Sequence, residues 1–197
     1  VVTDLAGTPV GAEAGPGWAS FVFDRGYTEG EVNYVRERVF GQDFDRWNTE
    51  GFFAYTPAPT TNLWAAWSVG PEPHYDPEDL FLGFGWTAGA GISASAFGRL
   101  TLDNEAHYYQ FHEPSGDVRY DGLVDRLVLN YSLSRPFSIR LVEDVDTFDN
   151  TLDSSLLLGW VENYGTAAWL GYGETYSFDD GWTARTVFAK VSYLWRL

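Results

Sequence analysis

The sequence contains no cysteine, which excludes disulfide bonds and thiolate metal centres and leaves the compartment open. Basic residues are scarce: 12 Lys and Arg stand against 28 Asp and Glu, for a formal net charge of −16. A phosphate backbone needs a basic footprint, so nucleic acid is not expected as a partner. No run of about 18 apolar residues occurs, which excludes a membrane-spanning helix. Helical periodicity is hard to find, and no secretory leader opens the chain, so an exported protein is expected to be represented here in mature or truncated form.

Alternation of period two is what the chain has instead. Leu127, Leu129, Tyr131 and Leu133 alternate with Arg126, Val128, Asn130 and Ser132, and Leu152, Ser154, Leu156, Leu158 and Trp160 with Asp153, Ser155, Leu157, Gly159 and Val161. The pattern predicts about eleven strands, at 18–24, 31–41, 47–56, 61–70, 80–92, 99–111, 120–133, 136–145, 152–162, 166–176 and 184–197. Their connections fall into two alternating kinds. Segments 56–61, 93–98, 133–137 and 162–166 are short, whereas 41–48, 70–79, 112–122, 143–151 and 174–182 are longer and acidic. Alternating short and long loops, with aromatics near strand ends (Trp160, Tyr164, Trp169, Tyr172, Tyr176, Trp182, Tyr193, Trp195), match an up-and-down transmembrane β-barrel. The competing fold is a soluble two-layer β-protein, but its strands average about five or six residues.

In the barrel reading, residues 1–15 form an N-terminal extension or extra strand and 16–197 supply the barrel strands. Alternating turns with Leu197 on the periplasmic side give an odd strand count, while complete bacterial barrels have an even one. Either residues 1–10 add a twelfth strand, or the chain is the C-terminal part of a larger barrel, the reading preferred here. Charges facing lipid at the midplane would cost about 2–4 kcal/mol, so Arg126, Asn130, Ser132, Ser138, Arg140, Asp144, Asp153, Lys190, Ser192 and Arg196 are expected to face the lumen. The apolar row ending in Tyr193, Trp195 and Leu197 is expected to face lipid and to act as an assembly signal.

No catalytic constellation stands out. His107 and His112 point to opposite strand faces, His74 reads as a solvated loop residue, and no G-x-S-x-G elbow occurs. No enzyme activity and no cofactor are expected. Acidic loops containing Glu143, Asp144, Asp146, Asp149 and Asp153, or Asp179 and Asp180, could at most hold divalent cations that bridge lipopolysaccharide phosphates.

The segments "DRLVLNYSLSRPFSIRLVEDVDTFDNTLDSSLLLGW", "GTAAWLGYGETY" and "RTVFAKVSYLWRL", with "ERVFGQDFD" and "YTPAPTTNLWAAWSVG" upstream, make residues 30–197 resemble a bacterial outer-membrane family of unknown function. Its members carry an N-terminal carbohydrate-binding-like domain before a C-terminal β-barrel. The resemblance implies an outer-membrane location, a barrel fold and a longer parent protein, and it brings no catalytic motif. Leu197 departs from the pattern, since such strands more often finish on Phe. The expected partners are outer-membrane lipid and lipopolysaccharide, with upstream strands or partner chains. The expected function is a porin-like channel or a membrane-embedded component of a larger assembly. A non-conducting barrel anchoring a sugar-binding domain, or a soluble secreted carbohydrate-binding β-domain, are the alternatives.

Overall fold

The structure, a computed structural model, describes residues 2–3, 9–163 and 166–193. Alternating apolar and polar side chains yield strands almost throughout, and the described residues contain no helix. In chain order the strands are β1 (Val2–Thr3), β2 (Pro9–Ala14), β3 (Gly17–Val22), β4 (Gly26–Val39), β5 (Gln42–Ala58), β6 (Thr61–Pro73), β7 (Leu82–Ala96), β8 (Leu100–His112), β9 (Val118–Ser132), β10 (Phe137–Asp146), β11 (Thr151–Asn163), β12 (Thr166–Ser177) and β13 (Gly181–Tyr193).

Hydrogen bonding follows chain order from β1 to β13 in an antiparallel, up-and-down sheet. Strands β2 and β3 pair with β4 in one register, from Gly11 opposite Glu37 to Val22 opposite Gly26. They are two halves of one strand, broken at Gly15 and Pro16, where proline has no N–H for the ladder. The sheet therefore has twelve strands in effect, and among the described residues no pair joins β13 to β1. The chain divides into two compact units: Val1–Tyr55, Trp64–Ala90 and Tyr108–Asp121 in the first, and Thr56–Leu63, Gly91–His107 and Gly122–Leu197 in the second.

The acidic connections are shorter than expected, because their residues continue the ladder. Segment 41–48 is not a loop: β4 and β5 meet in a two-residue turn, Phe40 and Gly41, with φ of 48° and 86°. Cross-strand ion pairs hold its acids in place, Arg36 Nε to Asp45 at 2.8 Å and Arg38 Nε to Asp43 at 2.6 Å. Likewise 143–151 shrinks to a connection at 147–150, 112–122 to 113–117, and 174–182 to 178–180. The two sets of connections thus differ less in length than in charge. In the second unit the turns 97–99 and 133–136 carry Arg99 and Arg135 and no acid, while 147–150 and 178–180 carry Asp149, Asp179 and Asp180.

Little apolar surface is buried. Val39, Phe44, Phe111, Val142 and Ala167 are the buried hydrophobic side chains among the described residues, against thirty large apolar or aromatic side chains that are exposed. Three exposed rings, Phe23, Phe40 and Phe97, open tight turns in the left-handed region, which costs a bulky residue about 1–2 kcal/mol. Sheet packing relies in part on aromatic rings lying over glycines of the neighbouring strand. In the first unit Trp18 covers Gly30 and Trp67 covers Gly51, where an added Cβ would lie 2.3 Å and 2.0 Å from the respective ring. Gly51→Ala is therefore expected to destabilise the protein by about 1–3 kcal/mol in urea unfolding. Adding Trp67→Leu, which removes the clashing ring, should recover much of that loss.

Candidate functional site

Directly paired residues on antiparallel strands project from the same face, so register assigns the paired side chains of β9 to β13 in the second unit to one of two faces. One cross-strand row runs Arg126, Asp144, Asp153, Thr175 and Ala184. The next rows on that face run Val128, Val142, Ser155, Gly173 and Thr186, then Asn130, Arg140, Leu157, Gly171 and Phe188. A further row runs Ser132, Ser138, Gly159, Trp169 and Lys190, and Ser192 lies opposite Ala167. The structure therefore brings Arg126, Asn130, Ser132, Ser138, Arg140, Asp144, Asp153, Lys190 and Ser192 onto one face. Arg196, Trp195 and Leu197, and the aromatic Tyr164, lie outside the described residues.

The charges on this face are arranged in a specific way. Asp144 and Asp153 sit directly opposite each other, a like-charge pairing that destabilises a sheet. Each has its own donor: Arg126 Nη1 reaches the Asp144 carboxylate at 2.9 Å, and the Thr175 hydroxyl donates to Asp153. Asn130 Nδ2 donates to Thr101 Oγ1 at 3.2 Å. Lys190 Nζ lies 5.5 Å from the centre of the Trp169 ring, a cation–π contact. Arg140 makes no ion pair among the described residues. A cavity of about 250 Å³ opens against Asp144, Asp153, Ser155, Gly173, Thr175 and Thr186. Apolar side chains share the face: the Phe188 ring occupies the space where Gly171 lacks a Cβ. Trp169 belongs here too, and not with the other strand-end aromatics, because it pairs with Gly159 and Lys190.

The opposite face of the same strands is apolar. Tyr131 on β9 aligns with Ile139 on β10 and Leu158 on β11, Leu129 with Leu141 and Leu156, and Phe137 with Trp160, while Leu127 stands opposite Glu143. Ala168, Leu170 and Tyr172 on β12, then Val187, Ala189 and Val191 on β13, continue the sheet of apolar groups. Of these, Tyr131, Phe137, Leu156, Leu158, Leu170, Tyr172, Val187 and Val191 are exposed, Val187 to 71% and Val191 to 77%, and Leu127, Leu129, Ile139, Leu141, Trp160 and Ala168 are half-buried. A polar row crosses this face where it approaches the acidic turns: Glu143, Ser154, Glu174 and Arg185. It is satisfied internally: Ser154 donates to Glu143, Tyr172 donates to Glu174 at 2.5 Å, and Arg185 lies 3.8 Å from Glu174.

The first unit holds polar residues that the alternation reading left out. Glu29, Glu31, Asn33 and Glu37 alternate along β4 and pair with Phe52, Glu50, Asn48 and Phe44 on β5. Asn33 is buried and donates to Glu31 at 2.6 Å. Arg46 Nε meets Glu37 at 2.7 Å in the least exposed ion pair among the described residues. Tyr109 donates to Glu72 at 3.0 Å. A cavity of about 260 Å³ is lined by Arg46, Asn48, Ser68, Glu72, Thr87 and Tyr109. The signal was present in "EGEVNYVRER", where Glu29, Glu31, Asn33 and Glu37 all fall on one parity, and the expected strand 47–56 supplies Asn48, Glu50 and Phe52, but reading 41–48 as a connection hid Phe44 and Arg46 as partners.

His74 lies in the connection 74–81, as expected, and is half-buried there. Its ring stacks 5.0 Å from Phe81 and 6.0 Å from Phe111, and Nδ1–H donates to the Asp79 carbonyl at 2.9 Å. Tyr120 is its third aromatic neighbour, at 6.4 Å. Beside it in the connection 74–81, burial and the Glu37 carboxylate push the Tyr75 phenol above its ordinary range. His112 is on β8 with His107 five positions away, and among the described residues no three His, Cys, Asp or Glu side chains converge as a metal-binding group.

Arg126→Ala leaves the facing Asp144 and Asp153 without their cation. Because the pair is half-exposed, the expected destabilisation is below about 1 kcal/mol in urea unfolding. Arg126→Ala combined with Asp153→Asn should be more stable than Arg126→Ala alone, since the like-charge contact is gone.

No protein-family model matches this chain, and no curated protein matches it.

Proposed function

We propose that this chain is an outer-membrane β-barrel, or the C-terminal part of one, whose charged face lines an aqueous lumen and whose apolar face meets lipid. The observation that carries the reading is the continuous, exposed apolar face over β9 to β13, set directly behind the row of Arg126, Asp144 and Asp153 and its neighbours. A contiguous apolar face supports contact with lipid or another apolar partner. Strands cross a bilayer only when every backbone group is paired, as in a barrel. From Trp160 to the polar row at Ser154 the apolar belt measures about 20 Å along the strand, six residues at ~3.4 Å each. That distance sets Glu143, Glu174 and Arg185 at the bilayer edge, where a charge costs about 0–1 kcal/mol. Tyr131, Phe137 and Trp160 edge the other side of the belt, as interfacial aromatics do.

Within the lumen, paired charges and small cavities suit passive permeation of small polar solutes, with Arg140, Lys190 and the Asp144–Asp153 pair setting charge selectivity. A second reading, a non-conducting barrel that anchors a partner, draws on Phe188, Trp169 and Leu157, bulky side chains set among the charges of that face.

Two adjacent residues test the reading. Leu158→Arg places a charge on the apolar face and should abolish insertion into lipid vesicles, whereas Leu157→Arg, on the charged face, should insert like the parent chain. A protein that stays monodisperse without detergent would contradict the membrane reading. Discrete conductance steps in a planar bilayer are expected of the channel, and their absence favours the anchor.

A further inference from the structure

Two turns of the second unit lie side by side. Ser132 N–H donates to the Arg99 carbonyl at 2.8 Å, and Asn130 reaches Thr101, so the β7–β8 turn at 97–99 neighbours the β9–β10 turn at 133–136. Together they present Phe97, Arg99, Leu133, Arg135 and Phe137, all exposed. No Asp or Glu occurs between residues 90 and 102 or between 127 and 142. In a chain of net charge −16, this is a locally cationic rim.

Three features of the rim point to a ligand. Arg99 and Arg135, like Arg140, make no ion pair among the described residues, whereas Arg36, Arg38, Arg46, Arg119, Arg126 and Arg185 do. Phe97 is 96% exposed, so the protein leaves its ring uncovered. It also occupies the first left-handed position of a tight turn, φ 55° followed by 61° at Gly98, closed by Arg99 N–H to the Ala96 carbonyl at 3.1 Å. That position favours Asn, Asp or Gly on backbone grounds, so a phenylalanine there gives the turn nothing.

We propose that this rim binds the phosphate head groups of anionic bilayer lipids, with Arg99 and Arg135 on phosphate oxygens and the Phe97 ring at the boundary between head groups and acyl chains. The inference rests on the outer-membrane reading and adds the lipid class and the residues that take it. A lipid is favoured over a free phosphate ion because the cations sit among apolar side chains. Phe137 pairs with Trp160 and neighbours Tyr131 on the apolar face, so the rim continues the lipid-facing belt.

The test uses the full chain, refolded from urea into phosphatidylcholine vesicles with and without phosphatidylglycerol. Arg99→Gln and Arg135→Gln should each weaken association with the phosphatidylglycerol vesicles about five-fold, the factor matching ~1 kcal/mol per basic residue at an anionic surface. Neither should change association with phosphatidylcholine alone. Phe97→Asn, which suits the turn, should leave the urea midpoint in detergent unchanged or raised while weakening association with both vesicle types. If all three variants bind phosphatidylglycerol vesicles as the parent does, the rim proposal is overturned. If the parent inserts into neither vesicle, the outer-membrane reading itself fails, a different outcome from the first.

Discussion

Cross-strand register is the constraint on which the rest of this structure depends. The strands from β9 to β13 pair in continuous register except for shifts between Val161 and Asn163 and between Thr175 and Tyr176, and period-two geometry converts that pairing into two chemically opposite faces. A slip of one residue in any strand would carry its leucines and valines to the charged face and its arginines and aspartates to the apolar one. Burial does little to hold the register, since few apolar side chains are enclosed. Specific cross-strand contacts do more. Arg126 on Asp144, Thr175 on Asp153, Lys190 over Trp169 and Phe188 on Gly171 each reward one alignment only. The Arg36–Asp45 and Arg38–Asp43 pairs do the same for β4 and β5.

This arrangement explains why a strongly acidic chain can also carry so much apolar surface. The acids concentrate in the acidic turns and on the charged face, where a partner or water meets each one. Where they cross to the apolar face they have their own donors: Ser154, Tyr172 and Arg185 for Glu143 and Glu174, and Asn104 for Asp125, which lies opposite Val145. The first unit follows the same logic with two less exposed pairs, Asn33 with Glu31 and Arg46 with Glu37.

Most of the strand architecture was legible, because alternation such as Leu127-Leu129-Tyr131 has one geometric meaning. The parity of those runs also brings the nine described residues from Arg126 to Ser192 onto one face. Failures arose where local composition and pairing disagree. Asp43 and Asp45 look like loop residues until Arg38 and Arg36 are opposite them, which is a non-local fact. Trp169 looks like a strand-end aromatic until its register with Lys190 is known. His74 sits in a polar, Pro-rich segment, and only the fold brings Phe81, Phe111 and Tyr120 around it. The turns at Phe23, Phe40 and Phe97 carry no Asn-Gly-like signature, so their left-handed backbone was invisible in the sequence.

The absence of cysteine makes the central claim directly measurable. Single cysteines introduced along β11 can carry a nitroxide label in lipid vesicles, and relaxation by oxygen or by a water-soluble nickel chelate reports what surrounds each one. The account requires strict alternation. Labels at Leu156, Leu158 and Trp160 should respond to oxygen dissolved in lipid, and labels at Ser155, Leu157 and Val161 to the aqueous chelate. Uniform aqueous access along the strand, or access without a period of two, would contradict it.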